Sequence, residues 1–589
     1  MTPLDALHDT FGFHEFRGRQ ADVIDRVMAG AHTLAVMPTG AGKSLTYQIP
    51  SLCRPGTGLV ISPLIALMHD QVRSAEAAGI RAAALTSADS DRDETMRRLR
   101  DGELDLLYAA PERVNTDGFR RLLDRTELAL IAIDEAHCVS EWGHDFRPDY
   151  RQLRSLLDAH AQVPRLALTA TADKHTRADI LAQLGIPDDG LILAGFDRPN
   201  IRYAISPRDN TTRQIADLIA ETPGPGIVYA QTRAGTEKLA EALAKTGRPT
   251  RAYHAGLEPH IRAKNQADFV ASEDMVIVAT VAFGMGIDKP DVRFVAHAGL
   301  PKSIEAYYQE TGRAGRDGDP AIAHLFWGAD DFARARQRIG EVEAARQPGE
   351  RIRLNALGAL VETAGCRRKL LLSHFDERDV PDRCGNCDNC LAPPAAIDAT
   401  TVAQKYLSAV FRTGQSFGSG YIESILTGQS SERSLMNGHE ALSVFGIVDG
   451  EEAALLRPVG RALQVRDALR TNPHGGLEFG PGARAILKGG EKVELVLPPK
   501  RERRRRGGAP GGGTNPIGDP LFEALREKRR ELAREASVPP YVIFHDSVLR
   551  AMAELKPGTR AALGTISGVG ERKLDAYGDA FLQVIREVA

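Results

Sequence analysis

The sequence predicts an α/β protein with two parallel-sheet domains in tandem, followed by smaller units that are mainly helical. In the first 330 residues, short apolar runs alternate with longer helical patterns, as in buried parallel strands joined by helical crossovers. These runs fall into two groups, separated by the quieter stretch Phe196–Thr222, and the alternation stops after about residue 340. The length of 589 residues agrees with several domains, since about 150 residues per domain gives about four.

Nine apolar runs are predicted as strands because each is short and bounded by polar residues, glycine or proline. The runs of the first group are Thr33–Met37, Leu59–Ser62, Leu106–Ala109, Ala129–Ile133 and Leu166–Thr169. The runs of the second group are Ile227–Ala230, Val276–Ala279, Phe294–His297 and Ile322–Phe326. Further along, Ile352–Ser373 is predicted to be helical, residues 396–498 mix helical and strand patterns, and residues 519–589 are strongly helical.

Composition and charge limit the class of protein. Hydrophobic residues make up 42% and charged residues 26%, the balance of a soluble globular protein. The 75 Lys and Arg against 78 Asp and Glu give a net charge of -3, which excludes a polycation that coats nucleic acid by charge alone. Since no apolar run approaches the ~18 residues of a membrane span, and the polar start at Met1–Gly12 does not resemble a secretory signal, we expect a cytoplasmic protein.

A phosphate-binding loop is predicted at residues 38–44, Pro-Thr-Gly-Ala-Gly-Lys-Ser, directly after a strand. Glycines let backbone N–H groups close around phosphate oxygens, Lys43 can neutralise the β- and γ-phosphates, and the Ser44 hydroxyl can bind magnesium. Met37 stands where the strict pattern has a glycine, and a chance glycine-rich turn is the alternative. The predicted nucleotide contacts in this loop are Thr39, Gly40, Gly42, Lys43 and Ser44.

Acidic residues follow the predicted strand Ala129–Ile133, in the order Asp134, Glu135, Ala136, His137. Asp134 is the expected second handle for magnesium, and Glu135 can orient and deprotonate the attacking water. Alone, such a pair is common surface chemistry, but together with a phosphate loop it indicates nucleotide hydrolysis.

Two further motifs could connect the nucleotide site to the second sheet. Thr169 and Thr171 offer hydroxyl groups at the end of a strand of the first group. Arg313 and Arg316 are three residues apart, which makes them neighbours on a helix face. Opposite a phosphate loop they can act as arginine fingers; a pair of solvated surface arginines is the alternative.

Four of the six cysteines lie between residues 366 and 390, which is typical of a local metal site and not of scattered disulfides. Four thiolates at this spacing can close a tetrahedral structural zinc site without an open position. Iron–sulfur ligation and a site with fewer than four ligands are the alternatives. The predicted zinc ligands are Cys366, Cys384, Cys387 and Cys390.

In this order, the segments MPTGAGKS, DEAH, TATA, VAFGMGID and QETGRAGRDG resemble the motifs of superfamily 2 helicases. Two further segments narrow the resemblance to the RecQ family of DNA helicases. Phe11–Gln20 resembles its adenine-reading motif, and Val139–Tyr150 resembles its aromatic-rich loop. Rings and guanidinium groups in that loop offer stacking and cationic surfaces for unpaired bases.

The resemblance implies roles for individual residues. The remaining nucleotide-binding roles fall on Phe13, Arg17, Gln20 and Asp288. Roles in DNA binding or coupling fall on Trp142, His144, Phe146, Arg147, Thr169 and Thr171. Catalytic roles fall on Lys43, Asp134, Glu135, His137, Arg313 and Arg316.

The C-terminal third resembles two further modules of the family. Residues 396–499 resemble a winged helix that binds duplex DNA, mainly through the segment Gly438–Gly446. Residues 519–589 resemble the HRDC domain, and their eleven basic and eleven acidic residues favour weak, stacking- or partner-assisted binding of single strands. The basic run Lys500–Arg506 could add phosphate contacts or serve as a solvated tether before the glycine-rich linker.

The predicted domain bounds follow from these segments. They are 1–204 and 205–339 for two RecA-like helicase domains, 340–395 for a zinc-binding subdomain, 396–499 for a winged helix, 500–518 for a basic and glycine-rich linker, and 519–589 for an HRDC domain.

The resemblance implies an ATP-dependent DNA helicase that moves 3′→5′ along one strand in DNA repair and recombination. It implies ATP, magnesium and structural zinc as cofactors. It also implies a nucleoid-associated monomer whose partners are single-stranded and duplex DNA, single-strand-binding protein and other repair proteins. An RNA-remodelling helicase and a DNA-binding protein with an inactive motor are the alternatives. The aromatic loop and the four cysteines argue against the first, and Lys43, Glu135 and Arg316 argue against the second.

Overall fold

The structure is a computed structural model of the chain. It describes residues 1–63, 65–86, 92–140, 147–283, 289–344, 346–377, 379–472, 475–497, 519–536 and 538–588. The described part confirms an α/β protein with two parallel sheets and smaller, mainly helical units after them.

Domain 1 is built on a parallel sheet with the strand order β3-β4-β2-β5-β6-β1-β7 among its described residues. Its strands are β1 (Thr33–Val36), β2 (Thr57–Ile61), β3 (Ala82–Leu85), β4 (Leu106–Ala109), β5 (Leu128–Ile133), β6 (Arg165–Thr169) and β7 (Leu191–Leu193). Its helices are α1 (Pro3–Phe11), α2 (Gln20–Met28), α3 (Leu45–Cys53), α4 (Ile65–Ala77), α5 (Arg92–Arg100), α6 (Pro111–Val114), α7 (Asp117–Leu123), α8 (Pro148–Arg151), α9 (Leu153–Ala159) and α10 (Lys174–Leu184). Because helices cover both faces, the central strands are buried along their length, which explains their continuous apolar runs.

Domain 2 carries a second parallel sheet, with the order β10-β11-β9-β12-β13-β8 in the part of the chain that is described. Its strands are β8 (Ile201–Pro207), β9 (Gly226–Tyr229), β10 (Thr250–Tyr253), β11 (Val276–Ala279), β12 (Phe294–His297) and β13 (Ala321–Trp327). Its helices are α11 (Thr211–Glu221), α12 (Arg233–Ala244), α13 (Pro259–Ala271), α14 (Ile304–Thr311) and α15 (Ala329–Glu341). The predicted boundary after residue 204 falls inside β8, which pairs with β13 along its whole length.

Each of the nine predicted strands is present to within two residues at either end. The sequence patterns missed β3, β7, β8 and β10, and the stretch that looked quiet contains β8 and α11. All four missed strands lie at the edges of their sheets. Two of them, β8 and β10, are interrupted by polar residues and partly exposed, as an edge position allows. The other two are apolar, but β3 is mainly alanine, which is uncommon in strands, and β7 has only three residues.

The prediction of one helix over Ile352–Ser373 is wrong, because the structure breaks it into α16 (Gln347–Glu362) and α17 (Arg367–His374). Cys366 stands at the break and caps α17, its Sγ accepting from the backbone N–H of Lys369 at 3.4 Å. A short helix α18 (Asp388–Leu391) completes this region. The break turns Cys366 toward the other cysteines of the cluster.

Residues 395–497 form a unit with its own hydrophobic core. Its helices are α19 (Thr400–Arg412), α20 (Ser419–Leu426), α21 (Glu432–Met436), α22 (Gly450–Ala453), α23 (Leu456–Val465) and α24 (Ala483–Leu487). Its strands β14 (Ala395–Asp398) and β17 (Glu494–Leu497) pair antiparallel, as do β15 (Leu469–Thr471) and β16 (Leu477–Phe479).

The C-terminal module is helical and packs around a separate core that includes Leu525, Phe544, Leu549 and Phe581. Its helices are α25 (Pro520–Ala536), α26 (Pro540–Ile543), α27 (Asp546–Leu555), α28 (Arg560–Gly564) and α29 (Glu571–Val588). Among the described helices of the whole chain, none is long and apolar enough to cross a membrane.

Candidate active site

The two domains enclose a cavity of about 530 Å³ at the edge where their parallel strands end. Domain 1 contributes Thr39, Gly40, Gly42, Lys43, Ser44, Asp134 and Glu135 to its lining. Domain 2 contributes Gln309, Arg313 and Arg316. Residues from three separate motifs of the sequence therefore meet at one place, as expected for ligand binding at the carboxyl ends of parallel strands.

The phosphate loop turns sharply between β1 and α3. Gly40 has φ +86° and Gly42 has φ +71°, a left-handed backbone that other residues rarely adopt. The Lys43 ammonium folds over the loop and donates to the carbonyl oxygens of Met37 at 3.1 Å and Pro38 at 3.4 Å. The loop therefore has the backbone shape and the cation that a bound triphosphate requires.

The N-terminal motif lies beside this loop. The Gln20 side chain donates from Nε2 to the carbonyl of Ala41 at 2.9 Å and accepts at Oε1 from the backbone N–H of Arg17 at 2.9 Å. The Arg17 guanidinium lies 5.6 Å from the ring centroid of Phe13, within cation–π range. The structure thus joins these three residues to the phosphate loop, and their predicted adenine-binding role stays a prediction.

Asp134 and Glu135 follow β5 on a strained piece of backbone. Glu135 has φ +48°, which is uncommon for a residue other than glycine and is typical of functional sites. Burial raises the pKa of Asp134 to about 7, with the Glu135 carboxylate adding to the effect and the Lys43 ammonium opposing it. A divalent cation at this position would favour the ionised carboxylate, and the oxygen donors of Ser44 and Asp134 line the same cavity, which suits magnesium.

His137 connects the acidic motif to β6. Its Nδ1 lies 3.0 Å from Oγ1 of Thr169 and 3.3 Å from Oε2 of Glu135. Thr169 and Thr171 are both buried, so in this conformation they are placed to link parts of the protein and not to contact DNA directly. A movement of the Glu135 carboxylate can therefore be transmitted to Thr169 of β6 through the His137 imidazole ring.

Arg313 and Arg316 approach the phosphate loop from domain 2. The expectation that they share a helix face is wrong, because α14 ends at Thr311 and both arginines lie in the turns that follow. A Cβ atom placed on Gly40 would lie 3.4 Å from Cγ of Arg316, and one placed on Gly312 would lie 3.2 Å from Cβ of Thr39. The two segments are therefore in contact, and both arginines line the cavity.

The four clustered cysteines form a compact group within the described residues. Their Sγ atoms all lie within 4.8 Å of one another, and those of Cys384 and Cys390 are 3.9 Å apart. Tetrahedral Zn–S bonds of about 2.3 Å place sulfur atoms about 3.8 Å apart. The donor set and its spacing therefore fit a closed structural zinc site.

The C-terminal module forms a third wall of the nucleotide cavity, which no sequence pattern indicated. Its contributions to the lining are Tyr541, Val542, His545, Gly570, Glu571, Arg572 and Lys573. It contacts domain 1, because a Cβ atom placed on Gly12 would lie 2.7 Å from Cα of Gly570. It contacts domain 2 through Arg550, whose Nη1 lies 2.6 Å from Oδ1 of Asp319.

The strongest anchor of this module is Glu273 of domain 2. Its carboxylate, only 12% exposed, pairs with Arg529 at 2.7 Å, Arg530 at 2.7 Å and Arg526 at 3.0 Å. Burial alone would raise the pKa of Glu273, but the three guanidinium groups outweigh it and hold the pKa below its usual value. Arg529 is itself buried and also pairs with Asp546 at 2.6 Å, which ties the anchor to the core of the module.

Replacing Glu273 with glutamine is expected to weaken this docking by about 1–3 kcal/mol, because it removes the charge that three guanidinium groups share, although Arg529 keeps its pair with Asp546. Hydrogen–deuterium exchange should become faster in α25 and in the residues around Glu273. The matched control is Glu241→Gln, since Glu241 is an exposed glutamate of the same domain. Unchanged exchange in α25 of the Glu273 variant would show that the anchor does not hold the module.

Several predicted residues lie outside the described part of the chain. They are Trp142, His144, Phe146, Asp288 and the basic run Lys500–Arg506. Arg147 is described, and its Nη1 donates to the carbonyl of Pro63 at 3.2 Å, just after β2.

Comparisons with known proteins match five consecutive parts of the chain to family models. These are DEAD/DEAH box helicase at residues 17–180, helicase conserved C-terminal domain at 210–318, RecQ zinc-binding at 329–391, RQC domain at 393–504 and HRDC domain at 519–585. Two RecA-like sheets that present these motifs to one cavity define an ATP-hydrolysing helicase.

Relatives that match along the whole length identify the family. ATP-dependent DNA helicase RecQ of Haemophilus influenzae is 41% identical, covering 100% of this chain and 96% of the relative. ATP-dependent DNA helicase RecQ of Bacillus subtilis is 38% identical, covering 98% of this chain and 97% of the relative. The chain belongs to the RecQ family of ATP-dependent DNA helicases. Among solved structures, DUF1998 helicase MrfA bound to DNA has a TM-score of 0.47 at 17% identity over 61% of this chain and 57% of that one, too low to add to this assignment.

Proposed function

We propose that this helicase translocates 3′→5′ along a single DNA strand, driven by ATP hydrolysis between domains 1 and 2, and that it acts in DNA repair and recombination. The observation that carries the motor mechanism is the shared cavity, in which Lys43 and Glu135 of domain 1 face Arg313 and Arg316 of domain 2. A nucleotide bound there contacts both domains, so its hydrolysis changes the interactions that hold them together. The polarity and the repair role are supported by the resemblance to the family.

In the proposed mechanism, residues of domain 1 bind and orient the nucleotide. Lys43 neutralises the β- and γ-phosphates, and Ser44 and Asp134 hold magnesium, which when bound offsets phosphate charge. Glu135 accepts a proton from the attacking water, and His137 fixes the Glu135 carboxylate relative to β6. Gln20, Arg17 and Phe13 lie on the adenine side of the phosphate loop.

Domain 2 supplies the charge that completes the site. Arg316 contacts the phosphate loop directly, and its guanidinium can stabilise the negative charge that develops on the transferred phosphoryl group. Arg313 lies three residues before it and is buried, with its side chain hydrogen-bonded to Tyr229 at the end of β9. Because these groups are on different domains from Lys43 and Glu135, hydrolysis requires the domains to be together, and product release permits them to separate.

The aromatic-rich loop that precedes Arg147 is proposed to couple this cycle to DNA. The Val139–Tyr150 segment begins at the last residue of the described 3₁₀ helix Ala136–Val139, which carries His137, and its described part resumes at Arg147. Bases stacked on Trp142 and Phe146 would then lie a few residues from the catalytic carboxylate. Partners such as single-strand-binding protein, a monomeric state and association with the nucleoid stay predictions from the resemblance.

Strand-displacement with matched tailed duplexes tests the proposal. With ATP and magnesium, a duplex with a 3′ single-stranded tail is expected to be unwound, whereas the same duplex with a 5′ tail should stay paired. The control is Lys43→Ala, which should unwind neither. Equal unwinding from a 5′ tail would contradict the polarity, and equal unwinding of a matched RNA duplex would contradict the preference for DNA.

A further inference from the structure

The segment that connects the two sheets contains an arginine, Arg198, that contacts both domains. Arg198 donates from Nη1 to the carbonyl oxygen of Thr39 at 2.8 Å, in the phosphate loop of domain 1. It also donates to three carbonyl oxygens of domain 2, those of Gly312 at 3.2 Å, Ala314 at 2.9 Å and Gly315 at 2.8 Å. One guanidinium therefore bridges the two halves of the nucleotide site.

The carbonyl groups that Arg198 contacts belong to the segment that carries the finger. Gly312, Ala314 and Gly315 surround Arg313 and immediately precede Arg316, at the C-terminal end of α14. A basic side chain is favourable at a helix end, where carbonyl groups lack partners within the helix. Arg198 thus holds the backbone of the finger segment and does not compete with Arg316 for the cavity.

The residues around Arg198 hold its own backbone in place. Phe196 stacks on Phe375 with ring centroids 4.8 Å apart, and Asp197 pairs with Arg368 of α17 at 2.9 Å. On the other side, Asn200 donates from Nδ2 to the carbonyl of Gly315 at 2.7 Å. The segment is therefore fixed to domain 2 and to the zinc-binding region, and Arg198 extends from it to the phosphate loop of domain 1 through the bond to Thr39.

We propose that Arg198 is a positioning residue for ATP hydrolysis, which sets the place of Arg316 relative to the phosphate loop and makes that placement depend on contact between the domains. Its domain 2 bonds keep the finger segment in shape, and its bond to Thr39 forms only when the loop is within reach. The inference rests on the proposed role of Arg316. It assigns a function to a linker residue that is not among the residues lining the nucleotide cavity.

The geometry requires arginine in particular. A planar guanidinium presents donors in a fixed fork and can serve several carbonyl groups at once, whereas an ammonium is a compact charge that cannot span them.

Because displacement of a catalytic group by about 1 Å can lower a rate about 10²-fold, Arg198→Ala is expected to lower the DNA-stimulated kcat about 10²-fold. The KM for ATP should change less than about threefold, since the contacts in the ground state come from domain 1. Arg198→Lys should give an intermediate loss.

A double-mutant cycle separates positioning from general support of the structure. Single-turnover hydrolysis with excess enzyme is measured for Arg198→Ala, Arg316→Ala and the double variant. If Arg198 acts through Arg316, the first change should cost less than about threefold when Arg316 is already absent. Independent losses that multiply in the double variant would overturn the positioning role.

A binding measurement gives a second readout that a structural role would not move. ADP with aluminium fluoride, an analogue of the transferring phosphoryl group, should bind Arg198→Ala about 10-fold or more less tightly, while ADP alone binds normally. Equal weakening of both ligands would overturn the proposal.

The control is Arg202→Ala, which removes an exposed arginine four residues away on β8 and should leave both readouts unchanged. If Arg198→Ala does not fold, the double-mutant cycle with Arg316→Ala is measured with Arg198→Lys, which keeps the charge. Full turnover in Arg316→Ala would overturn the proposed finger. Full turnover in Arg198→Ala beside an inactive Arg316→Ala would overturn only the inference made here.

Discussion

Replacing Arg316 with alanine is expected to lower the DNA-stimulated kcat for ATP hydrolysis by about 10³–10⁵-fold, the range typical of an arginine finger. Arg316 meets the phosphate loop from the opposite domain, with its side chain against Gly40. In the proposed mechanism its guanidinium acts on charge that develops during transfer, while Lys43 and the loop backbone bind the phosphates of the ground state. Phosphate release with saturating single-stranded DNA measures the loss, and binding of a fluorescent ATP analogue should stay within a few-fold of wild type.

Two further variants serve as comparisons for this prediction. Lys43→Ala should reduce both hydrolysis and ATP binding, because the proposed role of the ammonium is to neutralise the phosphates in the ground state as well. Arg213→Ala removes an exposed arginine from α11 of domain 2 and should leave hydrolysis unchanged. Substantial turnover in Arg316→Ala would show that another group supplies the charge.

Removing the metal from the cysteine cluster is expected to unfold the region that contains α17 and α18. Structural zinc contributes about 10–16 kcal/mol of apparent binding free energy in small domains. The segment from residue 379 to Leu391, which carries three of the four cysteines and α18, has few apolar residues, and the fourth cysteine, Cys366, stands at the start of α17. Cys384→Ser, or treatment with a strong chelator, should abolish bound zinc and raise hydrogen exchange in both helices. Metal analysis of the purified wild type should give one zinc per chain, and an iron chromophore would contradict the assignment.

The loss of zinc should also lower ATP hydrolysis, because α17 holds the linker between the sheets. Arg368 of α17 pairs with Asp197 and donates to the carbonyl of Ile201 at 2.6 Å. The matched control is Cys53→Ser, since Cys53 lies in α3 of domain 1 and outside the cluster. Normal hydrolysis in zinc-free protein would show that the linker keeps its place without α17.

The central strands and the catalytic motifs could be predicted because their signals are local. A strand such as β5 is enclosed on both sides, so burial demands a continuous apolar run, and the residues that follow it are the ones that face a ligand. The edge strands β8 and β10 escaped prediction because exposure relaxes that demand, whereas β3 is mainly alanine and β7 has only three residues. The break between α16 and α17 escaped because an apolar pattern continues through it, although Gly365 and Cys366 mark the place.

The sequence was sufficient to predict a RecQ-type helicase, which the comparisons confirm, and to predict its phosphate loop, its acidic motif and a metal site at four cysteines. The tertiary structure alone revealed the contacts that join distant segments. Arg198 reaches Thr39 across 159 positions of sequence, and Arg529 reaches Glu273 across 256. The chemistry of a motif resides in consecutive residues whose backbone shape is local, whereas these pairs depend on how separately folded units dock. The local sequence around a single arginine in a linker does not indicate which residue it contacts. Its role can therefore be inferred only once the positions of the domains are known.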